Sequence, residues 1–340
     1  MLAPYGDGAA HSGTRYVVSM RVAGLGDRIV CLGAAWLYAR NTGRTLVIDW
    51  RHGYISPKSK TNGFPLCFKN SGQLAGVPIV CDDRVNELQL PLPRYPAIWN
   101  DETLLRDPMR RPPELEQIYK RAAVSLMLAN RDRPEPAMIF DGCVHDGLVR
   151  FADAHQVFQA LEPVDCVTEA VEDFRRRRFG EGPIIGLHIR HGNGGDIMAH
   201  ARFWTSFEEA MKRCLRCVEI AREKLGHAAR VFLCTDSSEV EEAAHAMLRG
   251  VFTRPKQFRP VGEGELHHVP NAWEGRDDAL VEMVLLSHTQ ALIRYPPGSF
   301  FTAYAAVMKA RAEPPRPALI MYDLLAGVDE RDPLSAALII

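Results

Sequence analysis

No uncharged apolar run in this chain approaches the roughly 18 residues that a membrane-crossing helix needs. Neither sign of charge dominates: 41 Lys and Arg stand against 42 Asp and Glu, a formal net charge of −1. That balance argues against a protein built mainly to coat nucleic acid, and no nucleic-acid partner is expected. The opening residues are polar and Gly-rich and lack the basic start and apolar core of a secretory signal, so the expected location is the cytoplasm. Internal repeats and low-complexity segments are absent. The eight cysteines do not read as a disulfide framework. Cys31, Cys81, Cys143 and Cys234 sit inside apolar segments, as small buried hydrophobes do in a reducing compartment. Cys214 and Cys217 have CxxC spacing, but they fall mid-helix with no second ligand pair to complete a zinc site.

What is present is an ordinary globular balance, 46% hydrophobic and 24% charged over 340 residues, enough for two domains with sizeable cores. Strand and helix patterns alternate. Arg15–Val22 reads as a strand, Arg28–Arg40 as a helix and Thr45–Trp50 as a strand, a βαβ unit. Val77–Cys81 and Ala137–Val144 read as further strands, with a helix over Glu114–Asn130. A second series follows: helix Val164–Phe179, strand Pro183–Arg190, helix Phe203–Leu225, strand Arg230–Thr235, helix Glu239–Arg249 with Ser238 and Glu241 spaced as a capping box, helix Ala279–His288, strand Ala291–Tyr295, helix Phe300–Ala310 and strand Ala318–Tyr322. The expected fold is α/β, two Rossmann-like domains facing a cleft. Their boundary is expected near residues 163–182 and is drawn between domains 1–170 and 171–340.

The stretch with the most chemistry is Ile184 to Ile197. A buried strand ends in His188, Arg190, His191, Gly192, Asn193, Gly194, Gly195 and Asp196. Arg offers a fixed fork of donors for phosphate oxygens, and glycines let the main chain approach closely. Arg190 is the candidate phosphate ligand, the other reading being a surface ion pair. His188 is either a ligand or a hydrogen-bonded core histidine. Asp196 is either a general base or a cap. Thr235, Asp236 and Ser237 lie where a strand runs into a helix N-terminus, a place suited to an anion or ribose and equally to ordinary capping. Gly298, Ser299, Phe300 and Phe301 form a similar strand–turn–helix, with aromatics for a base or for the core. Gly24, Gly26 and Asp27, with Asp49 and Trp50 ending the second strand, resemble half of a dinucleotide fingerprint, since Ile29 replaces the third glycine, and equally a loop lining the opposite wall of a cleft.

In order, Gly24–Arg28, Gly43–Arg51, His188–Met198, Val231–Ser237 and Ile293–Phe301 resemble the NodZ-type nodulation fucosyltransferases, over about residues 15 to 325. The resemblance implies a GT-B architecture, GDP-fucose as donor, an inverting transfer without a metal cofactor, and an oligosaccharide acceptor such as a chitooligosaccharide fucosylated at O6 of its reducing-end GlcNAc. It makes 1–170 the acceptor-side domain and 171–340 the GDP-sugar-binding domain. It implies catalytic roles for Arg190 and Asp196. Donor contacts would come from His188, Arg190, His191, Gly192, Asn193, Thr235, Asp236, Ser299 and Phe300, and acceptor-side placement falls to Gly26, Asp27, Asp49 and Trp50. Two departures stand out: Gly195 where the family pattern has Glu, and Lys58 and Lys60 in the Tyr54–Phe64 loop. Two other readings remain: an NAD-dependent oxidoreductase using Gly24, Gly26 and Asp49, and a GDP-sugar-binding protein that has lost catalysis at Gly195.

Overall fold

The computed structural model describes residues 13–53, 56, 60–110, 112, 114, 132–142, 151–192, 206–258, 260, 276–295, 301, 305, 320–323 and 337–339. The chain divides into two compact units, Met1–Glu162 and Pro163–Ile340. The division falls ahead of the helix Asp165–Arg178, which a boundary at 170 would have cut. That helix packs on Arg276–Ser287, so its apolar face, Val167, Val171 and Phe174, belongs to the second core.

The first unit is a six-stranded sheet in the order β3-β4-β2-β1-β6-β5. Its strands are β1 (Tyr16–Ser19), β2 (Thr45–Ile48), β3 (Gln73–Leu74), β4 (Val77–Val80), β5 (Arg94–Tyr95) and β6 (Ala137–Phe140). All pairings are parallel except β3 with β4. Helix α1 (Leu25–Thr42) crosses from β1 to β2 and is buried almost all round, which is why its sequence is apolar on every face. Gly43 ends it in the left-handed conformation, φ 63°. The helix starts three residues ahead of the expected Arg28, with Gly24 as N-cap. Helices α2 (Glu102–Arg106) and α3 (Phe151–Ala160) complete the described α-helices of this unit, beside three short 3-10 turns. The expected helix over Glu114–Asn130 lies almost wholly outside the described residues.

The second unit is also six-stranded, in the order β12-β11-β10-β7-β8-β9. It contains α4 (Asp165–Arg178), β7 (Ile184–Ile189), α5 (Phe207–Leu225), β8 (Arg230–Thr235), α6 (Ser238–Met247), β9 (Val251–Thr253), α7 (Arg276–Ser287), β10 (Ala291–Tyr295), β11 (Ile320–Asp323) and β12 (Ala337–Ile339). Only β12 pairs antiparallel. Strand alternation divides its two faces. Ile185, Leu187, Ile189, Val231, Leu233 and Ile293 form one core with Met211, Cys214 and Val218 of α5. On the opposite face Phe232 joins Phe174, Phe179 and Phe252 in an aromatic cluster, with ring centroids 5.6–6.4 Å apart. Gly186 lies on that face, where a Cβ would sit 2.8 Å from Thr289 Oγ1 and 2.9 Å from Leu286 Cδ2. The close approach of α7 to the sheet therefore requires glycine there. Gly186→Val is expected to destabilise the protein by about 1–3 kcal/mol through overpacking, read as a lower urea midpoint with an unchanged slope.

Candidate active site

In both units β1 or β7 is the first strand, and the chain adds strands first to one side of it and later to the other. The crevice at such a switch point is where open α/β sheets take ligands. In the second unit it lies between β7 and β10. The Arg190 amide still donates to Tyr295 O at 2.8 Å, continuing the ladder one rung beyond β7 before the two chains part. His188 sits in register between Cys234 on β8 and Arg294 on β10. These three belong to the same sheet face as Gly186, toward α7.

His188 is buried, and its ring lies flat on Phe301, with centroids 4.6 Å apart and planes 9° from parallel. Burial, then Arg190, Lys256 and Arg294, push its imidazole down to about 3, so the ring is neutral at ordinary pH. Its Nδ1 has no hydrogen-bond partner. An unsatisfied polar atom in a dry, cation-rich row is costly unless a ligand completes it.

The loop after β7 is held from the neighbouring strand end. The Asp236 carboxylate accepts from the amides of His191 (2.8 Å) and Gly192 (3.1 Å). His191 Nδ1 meets Ser237 Oγ at 3.0 Å, and its ring edge packs on Phe207 at 5.4 Å. Gly192 takes φ 77°, the left-handed region where glycine is favoured. Asp236 thus shapes the loop through both oxygens instead of standing free for a ribose. Ser237, not Ser238, caps α6, accepting from Val240 N. The expected capping box is absent, because Glu241 accepts from Thr253 Oγ1 at 2.8 Å. Thr235 is buried and accepts from Ser237 N at 3.3 Å, an internal contact. Asn193, Gly194, Gly195, Asp196, Ser299 and Phe300 lie outside the described residues.

The residues singled out in the first unit serve other ends. Asp49 is buried, and both its oxygens are bound by Arg51, at 2.8 Å to Nε and 2.7 Å to a terminal nitrogen. Its carboxylate is therefore not available to a nucleotide ribose. Trp50 is fully buried, packing edge-on against Phe64 at 5.3 Å and Phe68 at 6.2 Å. It is a core side chain, not an exposed platform for a sugar. Gly26 is buried in the first turn of α1, and Asp27 is half-buried there. Arg28 is wholly buried and donates to Ala23 O (2.9 Å) and His52 O; burial lowers its guanidinium to about 10. At this unit's switch point Arg21 reaches Asp141 O at 3.0 Å, and Cys31 Sγ meets Phe140 O at 3.4 Å. The crevice that would take a dinucleotide is bridged by the chain's own groups, which removes the footing of the NAD-dependent alternative.

Inspection of the sequence missed Arg294, Lys256 and Glu282 near this row. Lys256 Nζ is 2.5 Å from Glu282 Oε1, with both side chains almost fully buried. Arg294 carried a signal, a charged residue inside an apolar strand. Lys256 and Glu282 carried none, because their meeting depends on α7 lying against the strand end. Among the described residues no group of three or more His, Cys, Asp or Glu comes together as a metal site requires, and no helix is long and apolar enough to cross a membrane.

Two Rossmann-like units, each a mostly parallel six-stranded sheet, are the architecture of the GT-B class of glycosyltransferases. Residues 13–315 match the family model described as Nodulation protein Z (NodZ), and the chain belongs to that family, making it a fucosyltransferase. Nodulation protein Z of Bradyrhizobium diazoefficiens is 37% identical over 304 residues, 88% of this chain and 80% of that protein. That of Sinorhizobium fredii is 35% identical over 308 residues, 87% of this chain and 92% of the relative. The crystal structure of NodZ alpha-1,6-fucosyltransferase co-crystallised with GDP superposes with TM-score 0.74 at 30% identity, over 92% of this chain and 96% of that one.

The lowered imidazole of His188 has a consequence for stability. Below about pH 6.5 the unfolded chain binds a proton that the folded chain refuses until about pH 3. The stability present above pH 6.5 is thus lost as pH falls toward 3, by at most about 1.4 kcal/mol per unit from this group. Comparing denaturant unfolding of the wild type and His188→Asn through this window should show a shallower loss in the variant. An equal loss would show that His188 does not remain neutral.

Proposed function

We propose that this enzyme transfers fucose from GDP-fucose to a GlcNAc-containing oligosaccharide, of chitooligosaccharide type, forming an α1,6 linkage by a single in-line displacement with inversion. The observation that carries the reading is the β7 end: Arg190 leaves the sheet at the switch point, beside a loop whose course is tied down by the Asp236 carboxylate. A solved NodZ structure soaked with GDP-fucose covers 92% of this chain at TM-score 0.70, which supports GDP-fucose as the donor here.

The chemistry asks for positive charge where the glycosyl–phosphate bond breaks, because the departing diphosphate gains charge as the bond lengthens. We assign that charge to Arg190, since a donor set before the reaction begins stabilises charge that grows in the transition state. A guanidinium can carry that charge without a divalent ion, so, following the family resemblance, we propose that the transfer is metal-independent. Proton removal from the acceptor hydroxyl calls for a carboxylate or imidazole on the far side of the sugar. We assign it to Asp196, following the family resemblance. Donor contacts are assigned to His188, His191, Gly192, Asn193, Thr235, Ser299 and Phe300, with Asp236 acting through the loop it holds. The second unit is the donor side and the first the acceptor side.

Arg190→Ala should lower kcat by about 10²–10³, the size of effect seen when one preorganised donor to developing charge is removed. Unchanged turnover in a folded variant would refute the role. Transfer should persist in excess EDTA, and its loss would overturn the metal-independent reading. A protein that binds GDP yet releases none from GDP-fucose, with chitooligosaccharides and other glycans offered, would instead be a binding protein that has lost catalysis at Gly195. Asp236→Ala should raise KM for the donor by about tenfold, with a smaller change in kcat, because the loop amides lose charged acceptors each worth about 1.5–3 kcal/mol. Steady-state kinetics at varied GDP-fucose measures this.

A further inference from the structure

We propose that Lys256 is a positioning residue of the donor-binding unit: together with Arg254 it staples the segment after β9 to α7 and holds the Glu282 carboxylate against the sheet face that carries His188. The inference rests on reading this unit as the GDP-sugar side.

The staple has matched spacing. Residues two apart in an extended segment share one side, and residues four apart on a helix share one face. Arg254 pairs with Asp278 at 2.5 Å, and Lys256 with Glu282 at 2.5 Å, making two rungs between one strand end and one helix. The outer rung is half open to solvent, and the inner is almost fully buried. A buried ion pair seldom adds net stability, since desolvation of both ions offsets their attraction. Its placement points to a different role. Thr289 and Leu286, which follow Glu282 in the chain, press on Gly186, so α7 covers the face of the sheet on which His188 lies. Lys256 acts electrostatically on His188, and both Lys256 and Glu282 act on Cys234, the β8 residue in register with His188. The pair therefore lies near His188 and Cys234, toward the carboxyl ends of β7 and β8.

Lys256 also governs the state of Glu282. Burial pushes that carboxyl up. Lys256 is the largest opposing influence and Arg254 also opposes it, whereas Asp278 on the same helix pushes it further up. Glu241 of α6 faces Lys256 as well, and its Oε2 is buried without a partner. Removing the ammonium leaves Glu282 and Glu241 without their shared cation, and Glu282 then takes a proton at higher pH.

The test is GDP binding by titration calorimetry with the whole chain, between about pH 6 and 9, for the wild type, Lys256→Met and Lys256→Arg. Each variant is compared with the wild type at the same pH, so that titration of the GDP phosphate itself cancels. Lys256→Met should bind GDP about tenfold or more weakly than the wild type, with the deficit deepening as pH rises and the unpaired Glu282 ionises beside the anionic ligand. Lys256→Arg should stay within about threefold of wild type, because it keeps the charge. In transfer assays the loss should fall on KM for the donor and leave kcat at saturation little changed. A folded Lys256→Met that binds GDP as tightly as wild type at every pH overturns the inference alone. If Lys256→Met does not fold, the neutral pair Lys256→Met/Glu282→Gln replaces it. That variant should bind GDP more weakly than wild type without pH dependence, and wild-type affinity there overturns the inference. A wild type with no affinity for GDP overturns the donor reading and this inference together.

Discussion

The structure of the second unit depends on how β7 ends. The strand is buried on both faces and paired on both edges, so its side chains can be charged only where its partners run out. Its amide ladder persists one rung past the regular strand, through Arg190 and Tyr295. Beyond that the chain would be free to wander. The Asp236 carboxylate prevents this by accepting from two successive amides of the loop. Charged acceptors on backbone amides are among the stronger hydrogen bonds a protein makes, and here they come from a neighbouring parallel strand that is itself fixed in register.

That arrangement explains why the two units, built on the same plan, are not interchangeable. Each has a central first strand with a switch point beside it. In the first unit the gap is bridged by Arg21 and Cys31, and the nearby charges are spent internally, Arg28 on backbone carbonyls and Asp49 on Arg51. In the second the corresponding row carries a neutral histidine with an unpartnered nitrogen and several cations. The first unit's strand ends are engaged in holding its own loops together, whereas the second unit's terminate in a buried row of mixed charge around His188.

The first unit also shows how loops are tied without regular structure. Asn62 donates to Ile48 O and Cys81 O and accepts from Trp50 N, joining the ends of β2 and β4 through one buried side chain. Such bonds matter because a lost partner would leave buried backbone groups unsatisfied. Asn62 and Arg28 look like ordinary loop and helix residues in the sequence. Their roles exist only because chain segments far apart in sequence converge on them.

Much of the architecture was legible beforehand. Apolar runs of four to six residues such as Thr45–Ile48, Ile184–Ile189 and Arg230–Thr235, alternating with amphipathic stretches, determine parallel α/β units, because local periodicity is a property of the chain itself. The short edge strands β3 and β5 carried too little periodicity to be seen. The His188–Arg190 strand end was also legible, since charge directly after a buried strand is a local pattern. What each side chain there touches was not. Trp50 entered the core, Asp49 folded back onto Arg51, Asp236 turned to the loop amides, and Lys256 met Glu282 across a strand–helix contact. The sequence by itself determined which residues stand at strand ends. Only the tertiary structure decided which partners each of them takes, because hydrogen-bond partners distant in sequence are chosen by packing.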